Sequence, residues 1–416
     1  MCKIEINGGR HLDGSLAVQG AKNSVLPLLA ATVLADGECS IMGCPNLSDV
    51  NAAIEILECL GCNVRREDNT VTVDSRSITC ADIPDALMRK MRSSITFLGA
   101  ITARCKRAKI SSPGGCELGP RPVDLHIKAL RELNISVTER GGYTETFAEN
   151  MRGADIHLDF PSVGATENAM LAAVTARGIT TINNAAKEPE IWDLECFLKK
   201  MGAKISGAGT GVIRIEGVPR LHGAEHTVIP DRIAAATYLC AAVMTGGKAE
   251  LTDVTPQHLS AVTAVLKDTG ADIKIYKNSM TVKAPYKILP VDTLRTMPYP
   301  GFPTDAQAPI TALLSVASGT SVIIENIFEN RYKHCTQLCK MGADIKTSGR
   351  IAVIRGVREL SGSEICAQEL RGGAALCIAG TAAHGTTVIS GIHHIERGYE
   401  DIVLDFKRLG ADIKRI

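Results

Sequence analysis

The sequence predicts an α/β protein of two domains, each built from three copies of one supersecondary unit. The chain has 416 residues, which is enough for two domains of ordinary size with substantial cores. A junction made of a helix end, a glycine or asparagine and a β-branched residue recurs six times, at intervals of roughly 70 residues. Short strand patterns and small, apolar helical runs surround these junctions. Together these observations indicate a repeated helix–strand unit.

The junctions are the clearest sign of this repetition. Glycine or asparagine suits the left-handed residue that ends a helix, and the β-branched residue after it begins a strand. The six junctions are Leu60–Val64, Leu133–Ile135, Met201–Ile205, Thr269–Ile273, Met341–Ile345 and Leu409–Ile413. Six copies of the unit predict three in each domain.

The two ends of the sequence are expected to share one domain. A second strand follows most junctions, but the sixth junction is followed only by residues up to Ile416. The N-terminal pattern Ile4–Gly8 has the matching strand character and no junction before it. We therefore expect the N-terminal strands to complete the last unit. One domain would cover residues 21–229, and the other residues 1–20 plus 230–416.

The apolar helical runs predict that helices lie inside each domain and sheets outside, because alanine and glycine allow helices to approach closely. These runs are Ser24–Ala35, Asn168–Ala176, Ala306–Ala317 and Gly372–Ala383.

Composition excludes several classes of protein. Lys and Arg number 46 against 45 Asp and Glu, so bulk charge implies no nucleic-acid partner, and aromatic residues make up only 4%. The apolar run Val25–Ala35 is interrupted by Pro27 and is shorter than the ~20 residues that span a bilayer. The first residues hold no apolar stretch of signal-peptide length, and the fourteen cysteines are scattered. We expect a cytoplasmic protein that binds neither nucleic acid nor membrane.

A displayed cysteine is the first candidate functional residue. Cys116 follows Pro113-Gly114-Gly115 and precedes Arg121, which stands between two prolines. Glycine and proline shape a loop rather than a core segment, so the thiol is predicted to be displayed. One interpretation is an incidental thiol on a surface loop. The other is a reactive cysteine whose pKa is lowered by Arg121 and the basic stretch 104–109.

Charged residues at predicted helix starts are the second group of candidates. Lys22, Arg92 and Arg371 are cations where a helix N-terminus disfavours them unless an anion is bound. The alternative is that they are solvated cap residues. Asp305 follows Phe302-Pro303-Thr304 at another helix start and is either an ordinary N-cap or a general base.

Other suggestive residues favour structural roles. Cys62 replaces the alanine of its junction, and Cys335 and Cys339 fit a core-facing helix. The adjacent His393 and His394 would point to opposite sides of an extended segment. Residues 207–211 lie between two strand patterns, so they predict a hairpin turn rather than a nucleotide loop. No intrinsic metal site and no dinucleotide cofactor are expected.

Short motifs along the whole chain occur together in one enzyme family. They are Gly20–Asn23, Met91–Ser94, Pro113–Cys116, Arg121–His126, Ser162–Asn168, Glu188–Ile191, Phe302–Asp305, Glu329–Arg331 and Arg397–Glu400. In this combination the sequence resembles the UDP-N-acetylglucosamine 1-carboxyvinyltransferase family, which is EPSP synthase-like. The resemblance implies two inside-out α/β barrel domains, each of three βαβαββ-type units, with the active site between the domains.

The resemblance also implies a reaction and its catalytic residues. The enolpyruvyl group of phosphoenolpyruvate would move to the 3′-hydroxyl of UDP-N-acetylglucosamine with release of phosphate, the first committed step of peptidoglycan synthesis. Cys116 would be the general acid and can form a covalent adduct with phosphoenolpyruvate, which also implies sensitivity to fosfomycin. Asp305 would be the general base, and Lys22 and Arg397 would take part in catalysis. No other cofactor and no metal are implied.

The resemblance assigns two sets of binding residues. The phosphoenolpyruvate set is Lys22, Asn23, Arg121, Arg331, Arg371 and Arg397. The UDP-N-acetylglucosamine set is Arg92, Arg121, Pro122, Val123, Asp124, Leu125, Ser162, Val163, Gly164, Asp305 and Ile327. We expect a monomer or weak oligomer. Glu117 and Tyr299 depart from the usual family residues without touching an assigned role.

Three rival functions stay open at this point. EPSP synthase itself shares the six-unit architecture, although the cysteine loop and the Gly20–Asn23 start argue against it. A non-catalytic clamp would need a basic surface, for which the charge balance offers no surplus. The third possibility is a second cellular copy of the enzyme with altered regulation, or a retired paralogue, although the complete set of matching positions speaks against inactivity.

Overall fold

A computed structural model of the chain describes residues 2–111 and 123–416. Contacts within the chain divide the described residues into two compact units. Domain I comprises residues 20–111 and 123–229, and domain II comprises residues 2–19 and 230–416. Each domain is described by itself below.

Domain II begins with the first two strands, and domain I follows with three units. The first strands are β1 (Ile4–Asn7) and β2 (Asp13–Ala17). The elements of domain I are α1 (Lys22–Thr32), β3 (Ala35–Asp36), β4 (Glu38–Met42), α2 (Ser48–Cys59), β5 (Asn63–Glu67), β6 (Thr70–Asp74), β7 (Asp82–Ile83), α3 (Asp85–Lys90), a 3₁₀ helix (Arg92–Thr96), α4 (Phe97–Cys105), β8 (Arg107–Ser111), α5 (Asp124–Glu132), β9 (Ser136–Arg140), β10 (Tyr143–Phe147), β11 (Asp155–His157), α6 (Val163–Ala173), β12 (Ile179–Asn183), α7 (Pro189–Lys200), β13 (Lys204–Ser206), β14 (Val212–Glu216), β15 (Leu221–His222) and β16 (Glu225–Thr227).

The chain then returns to domain II for three further units. Their elements are α8 (Arg232–Met244), β17 (Lys248–Thr252), a 3₁₀ helix (Pro256–Leu259), α9 (Ser260–Asp268), β18 (Asp272–Ile275), β19 (Ser279–Lys283), β20 (Thr293–Arg295), a 3₁₀ helix (Thr304–Ala306), α10 (Gln307–Leu314), β21 (Thr320–Ile324), α11 (Lys333–Lys340), β22 (Asp344–Ser348), β23 (Ile351–Arg355), β24 (Glu364–Cys366), α12 (Leu370–Ala382), β25 (Thr386–Ser390), a 3₁₀ helix (Ile392–Arg397), α13 (Ile402–Arg408) and β26 (Asp412–Arg415).

Each unit forms a four-stranded sheet with one parallel pair at an edge and two antiparallel pairs beyond it. The strand orders are β16-β4-β6-β5, β7-β8-β10-β9 and β11-β12-β14-β13 in domain I, and β2-β17-β19-β18, β20-β21-β23-β22 and β24-β25-β1-β26 in domain II. A buried helix links the two parallel strands where the chain runs directly from one to the other, as α6 does between β11 and β12. This is the predicted repeat.

Both N-terminal strands were expected to complete the last unit, and only one of them does. β1 lies between β25 and β26, with Glu5 opposite Val388 and Lys414, so it completes the last unit as predicted. β2 does not, because it pairs in parallel with β17 in the fourth unit. The inner helix of that unit, α8, begins just after the chain enters domain II at Pro230, so no strand of domain II directly precedes it. β2 takes the edge position beside β17 that such a strand would occupy.

The inner helices form the core of each domain. α1, α4 and α6 in domain I and α8, α10 and α12 in domain II are buried along nearly their whole length, and neighbouring members of each set pack together. Small residues permit this approach. A Cβ on Gly99 of α4 would lie 2.5 Å from the backbone oxygen of Asn168 in α6. Outer helices such as α2 and α11 are buried on one side, and strands such as β4 and β6 alternate buried with more exposed residues. The predicted arrangement of inner helices and outer sheets is therefore confirmed.

The repeated junctions have the backbone that the sequence predicted. Gly61, Asn134, Gly202, Gly270, Gly342 and Gly410 have positive φ angles of 96°, 62°, 97°, 93°, 96° and 98°. Glycine adopts this region without steric cost, and asparagine tolerates it better than most residues. The backbone therefore explains why these two residue types occupy the helix ends.

Several smaller expectations have clear outcomes. Residues 207–211 connect the antiparallel strands β13 and β14, so the predicted hairpin is confirmed. Cys62 and Cys335 are buried, but Cys339 is exposed, so its predicted core position is wrong. Cys339 is the next-to-last residue of α11, beside the exposed Lys340 at the end of the helix. The prediction for His393 and His394 is also wrong, because a 3₁₀ helix holds their ring centroids 4.1 Å apart.

Two features that mark other classes of protein are absent from the described residues. Across residues 2–111 and 123–416, no helix combines the length and apolar character that crossing a membrane requires. In the same residues there is no group of three or more histidine, cysteine, aspartate or glutamate side chains suited to hold a metal ion.

Candidate active site

An aspartate held by two buried arginines is the central feature of domain II. Arg331 Nη2 donates to Asp305 Oδ1 at 2.7 Å, while Arg371 Nη2 and Nε approach Asp305 Oδ2 at 3.3 and 3.4 Å. The two arginines are only 2% and 1% exposed, whereas the Asp305 side chain is 26% exposed. The carboxylate therefore reaches solvent while both cations that orient it lie beneath the surface.

The local sequence explains the positions of Asp305 and Arg371. Asp305 lies in the 3₁₀ helix that precedes α10, directly after Pro303. Arg371 is the second residue of α12, whose N-cap Glu369 accepts hydrogen bonds from the backbone N–H groups of Arg371 and Gly372. The anionic cap offsets the unfavourable position of a cation at a helix N-terminus. The predicted helix starts at Asp305 and Arg371 are thus confirmed within one residue.

Arg371 is fixed from its other side by an aromatic ring. Its guanidinium carbon lies 5.5 Å from the centre of the Tyr399 ring, and the Tyr399 hydroxyl bonds Thr237 Oγ1 at 2.6 Å. A cation within about 6 Å of a ring centre is attracted by the face of the ring, so Tyr399 helps to hold the guanidinium in place. Arg397 ends the 3₁₀ helix two residues before Tyr399. The motif Arg397–Glu400 therefore contributes to the surroundings of Arg371 as well as carrying its own arginine.

The two arginines retain hydrogen-bonding capacity. Among the described residues, Arg331 Nε and Arg371 Nη1 are buried and find no acceptor. Buried donors are normally satisfied, and a guanidinium presents five N–H groups in a planar fork. This geometry suits carboxylate or phosphate oxygens, which accept two parallel hydrogen bonds from arginine. The cluster can therefore bind an anion beside a carboxylate that is able to act as a base.

A buried histidine lies behind Arg331. Burial, with a further contribution from the charge of Arg331, lowers the pKa of His334 to about 3. A neutral imidazole is thereby favoured next to the cation. His334 packs against the first turn of α12, where a Cβ on Gly372 would lie 2.9 Å from the His334 Cβ. It supports the arginine cluster without adding charge to it.

Glu325 supports the candidate site, and the sequence alone did not reveal it. It is fully buried after β21, and its Oε1 accepts hydrogen bonds from Thr296 Oγ1 and from the backbone N–H groups of Ile327 and Phe328 at 2.8–3.1 Å. Its Oε2 accepts from Thr304 Oγ1 at 3.0 Å. Glu325 thus ties Ile327, a predicted binding residue, to the turn that carries Asp305. The sequence feature that could have indicated Glu325 is a charged residue at the end of an apolar strand.

In domain I, Lys22 is paired with a buried carboxylate. Lys22 begins α1, as predicted, and its Nζ lies 2.8 Å from Asp49 Oδ2 in α2. Asn23 is the next residue of α1, and both side chains are half-buried. The ion pair fixes the ammonium at the start of an inner helix.

Among the described residues of domain I, those predicted to bind the nucleotide sugar lie at the starts of three helical elements. Arg92 begins the 3₁₀ helix, Val123 caps α5, and Asp124 and Leu125 form its first turn. Ser162 caps α6 by accepting from Ala165 N at 3.4 Å, and Val163 and Gly164 follow. Helix N-termini present free N–H groups to anions.

Acidic side chains cluster next to α6. Burial raises the pKa of Glu167 well above its ordinary value, and the charges of Glu190 and Glu188 raise it further. The neutral acid is therefore favoured at Glu167. Glu190 belongs to the first turn of α7, so this cluster joins two of the motifs that the sequence contains.

Three predicted site residues lie outside the described residues. They are Cys116, Arg121 and Pro122. Within domain II the structure brings together Asp305, Arg331 and Arg371, and within domain I it joins Lys22 to Asp49.

Comparisons with known proteins agree with one another along the whole chain. A family model described as EPSP synthase (3-phosphoshikimate 1-carboxyvinyltransferase) matches residues 6–406. The chain is 52% identical to the UDP-N-acetylglucosamine 1-carboxyvinyltransferase 2 of Caldanaerobacter subterraneus subsp. tengcongensis over 416 residues, covering 100% of both chains. It is 48% identical to the UDP-N-acetylglucosamine 1-carboxyvinyltransferase 1 of Carboxydothermus hydrogenoformans, covering 100% of this chain and 99% of the relative.

Solved structures show the same architecture. The enolpyruvyl transferase NikO of Streptomyces tendae superposes with a TM-score of 0.90 at 25% identity, covering 100% of this chain and 98% of NikO. An EPSP synthase of Acinetobacter baumannii superposes with a TM-score of 0.76 at 18% identity, covering 100% of both chains. The second likeness concerns the fold alone.

Proposed function

This chain belongs to the EPSP synthase family, and we propose that it transfers the enolpyruvyl group of phosphoenolpyruvate to the 3′-hydroxyl of UDP-N-acetylglucosamine with release of phosphate. The observation that carries the proposal is the Asp305 carboxylate held by Arg331 and Arg371, whose buried guanidinium groups retain donors for an anion. Relatives of about half-identical sequence bear the name of this activity.

The reaction is an addition followed by an elimination. Asp305 accepts the proton of the sugar 3′-hydroxyl while the hydroxyl oxygen forms a bond to C2 of phosphoenolpyruvate. Cys116 protonates the C3 methylene carbon. The resulting tetrahedral intermediate then returns a C3 proton to the Cys116 thiolate and expels phosphate, which restores the double bond in the product and the thiol of Cys116. General acid and base catalysis of this kind accelerates a reaction by about 10²–10⁴-fold.

Cationic side chains stabilise the negative charge of phosphoenolpyruvate and of the intermediate throughout the reaction. Arg331 and Arg371 supply bidentate donors for carboxylate or phosphate, and Lys22, Asn23, Arg121 and Arg397 complete the set that holds phosphoenolpyruvate and the intermediate. Electrostatic stabilisation of this kind is usually the largest contribution to catalysis, because preorganised charges need no reorganisation during the reaction.

The nucleotide sugar is bound by a second set of residues. This set comprises Arg92, Arg121, Pro122, Val123, Asp124, Leu125, Ser162, Val163, Gly164, Asp305 and Ile327. The N-cap of α6 and the first turn of α5 supply backbone N–H groups that suit a diphosphate. No cofactor is required, although Cys116 can carry a phosphoenolpyruvate-derived adduct.

The proposal includes a setting for the enzyme. It acts in the cytoplasm as a monomer or weak oligomer, in peptidoglycan synthesis, and it binds neither nucleic acid nor membrane. A balanced charge of 46 basic against 45 acidic residues supports the absence of a nucleic-acid partner.

Phosphate release with alternative acceptors tests the proposal. Purified enzyme is incubated with phosphoenolpyruvate alone, with UDP-N-acetylglucosamine and with shikimate 3-phosphate. The proposal predicts release only with the nucleotide sugar. Release only with shikimate 3-phosphate would identify an EPSP synthase. Release with none of them would favour the inactive or regulatory paralogue.

A further inference from the structure

We propose that Asn168 is a positioning residue for UDP-N-acetylglucosamine, because its side chain ties together three helical elements that begin with predicted nucleotide-sugar residues. The inference rests on the proposed function and concerns the same substrate. Asn168 is fully buried in α6, so it does not touch the substrate itself. It acts through the segments that it joins.

The amide of Asn168 makes three hydrogen bonds across domain I. Its Oδ1 accepts from the backbone N–H of Gly99 at 2.6 Å. Its Nδ2 donates to the carbonyl oxygen of Ile95 at 2.8 Å and lies 2.8 Å from His126 Nδ1. Two of these contacts hold the 3₁₀ helix and α4, and the third holds α5. A single side chain in α6 therefore connects three further elements.

Two of the contacts, and Asn168 itself, lie close to predicted nucleotide-sugar residues. Ile95 is in the short 3₁₀ helix that Arg92 begins, and His126 directly follows Leu125 in the first turn of α5. Asn168 itself is one turn beyond Gly164 in α6. The three contacts thus fix the spacing between segments that would have to act on one ligand.

His126 strengthens the link by packing against Gly164. A Cβ on Gly164 would lie 3.0 Å from His126 Cε1 and 3.3 Å from its Nε2. Glycine therefore permits the ring to lie directly against the first turn of α6. The same histidine is bonded to Asn168 through its other ring nitrogen, so two separate contacts join the start of α5 to α6.

The direction of the Asn168–His126 hydrogen bond follows from the charge state of the histidine. Burial lowers the pKa of His126 to about 4, although Asp124 acts in the opposite direction. The ring is therefore neutral at neutral pH, and Nδ1 can accept a hydrogen bond from Asn168 Nδ2. Aspartate at position 168 would lack this donor and the donor to Ile95.

Preorganisation explains the expected effect on binding. Segments held in the bound arrangement lose little conformational freedom when the ligand arrives, and a ligand site is accurate only if the surrounding residues fix it. Loss of the Asn168 amide should weaken binding of the nucleotide sugar. The chemical step should change little, because Asn168 contacts none of the predicted acid, base or phosphoenolpyruvate residues in these hydrogen bonds.

The test compares Asn168→Ala with a matched control in the same core. Thr102→Val removes a buried hydroxyl of α4 that bonds Thr146 Oγ1 at 2.6 Å and the carbonyl oxygen of Leu98 at 2.7 Å. The dissociation constant of UDP-N-acetylglucosamine is measured by calorimetry without phosphoenolpyruvate, alongside steady-state kinetics. Asn168→Ala should raise the dissociation constant and KM for the nucleotide sugar by about tenfold or more. KM for phosphoenolpyruvate and kcat should stay within about twofold, and Thr102→Val should match the wild type.

Several outcomes would overturn the inference. An unchanged dissociation constant in folded Asn168→Ala would do so, as would an equal loss of affinity in Thr102→Val, which would indicate a merely structural effect. If Asn168→Ala does not fold, His126→Gln decides by the same measurements. Wild-type protein that binds the nucleotide sugar without turnover would refute the proposed reaction, and the dissociation constants would still decide the inference. Wild-type protein that does not bind it would overturn the inference.

Discussion

Arg371 Nη2 lies 3.3 Å from Asp305 Oδ2, although the two residues are 66 positions apart in the chain. Arg331 approaches the other carboxylate oxygen at 2.7 Å. One carboxylate is therefore oriented by two cations that lie in different units of domain II. This arrangement combines a proton acceptor with donors for an anion, and it leads to separable predictions for the acid–base and anion-binding groups.

Asp305→Asn should remove the general base with little change in the local shape. We expect kcat to fall by about 10²–10⁴, since asparagine keeps an oxygen acceptor but cannot take a proton. The dissociation constant of UDP-N-acetylglucosamine should change by less than about tenfold. Stopped assays of phosphate release and calorimetry measure both quantities. Asp344→Asn, at an exposed ion pair with Arg355, is the control, and a kcat loss shared by both variants would contradict the assignment.

Arg371→Lys should weaken phosphoenolpyruvate binding while retaining the positive charge. Lysine lacks the planar fork that donates two parallel hydrogen bonds, so a charge-assisted hydrogen bond worth about 1.5–3 kcal/mol is lost. KM for phosphoenolpyruvate should rise by roughly 10–100-fold. Arg355→Lys, on the exposed face of β23, should leave KM unchanged. Equal KM values for wild type and Arg371→Lys would exclude Arg371 from the anion site.

Fosfomycin should inactivate the enzyme by alkylating Cys116 alone. Burial raises the pKa of other thiols, to about 11 in Cys39 and about 12 in Cys62, Cys240, Cys335 and Cys377. A thiolate is the nucleophile, so these side chains should not react. Peptide mass spectrometry should find one adduct, absent from Cys116→Ala and retained in Cys339→Ala. Adducts on several cysteines, or full resistance of the wild type, would count against a displayed reactive Cys116.

Burial of His334 should make the protein less stable in mild acid. Its folded pKa of about 3 lies below the ordinary value of 6.5, so below pH 6.5 the unfolded chain binds a proton that the folded chain does not. The free energy of unfolding should therefore fall as pH decreases from 6.5 toward 3, by up to about 1.4 kcal/mol per pH unit from this group.

His334→Leu should flatten this dependence relative to the wild type in urea unfolding at each pH. His157→Leu, at an exposed position on β11, serves as the control. Parallel pH profiles for wild type and His334→Leu would show that His334 is not the responsible group.

The repeat was predictable because it rests on local backbone requirements. A helix end with positive φ demands glycine or asparagine, and the six junctions display this directly in the sequence. The position of β2 was not predictable in the same way. Its Leu16 pairs with Leu251 of β17, and no local pattern specifies a partner so distant in the chain.

The candidate site was predictable to the extent that single residues are unusual where they stand. Arg371 and Asp305 are charged residues at predicted helix starts, so the sequence alone indicated them. The role of Glu325 follows only from its four hydrogen bonds, which the sequence does not show. The contacts of Asn168, like those of Glu325, cannot be seen in the sequence. Their partners lie 42, 69 and 73 residues away, so the link between three helical elements exists only in the folded domain.

The most direct test of the account is the mass of the product formed from phosphoenolpyruvate and UDP-N-acetylglucosamine. Liquid chromatography with mass spectrometry should find the nucleotide sugar heavier by one enolpyruvyl group, with one inorganic phosphate released for each molecule formed. Unmodified nucleotide sugar beside released phosphate would contradict the account, because it would indicate hydrolysis of phosphoenolpyruvate rather than transfer.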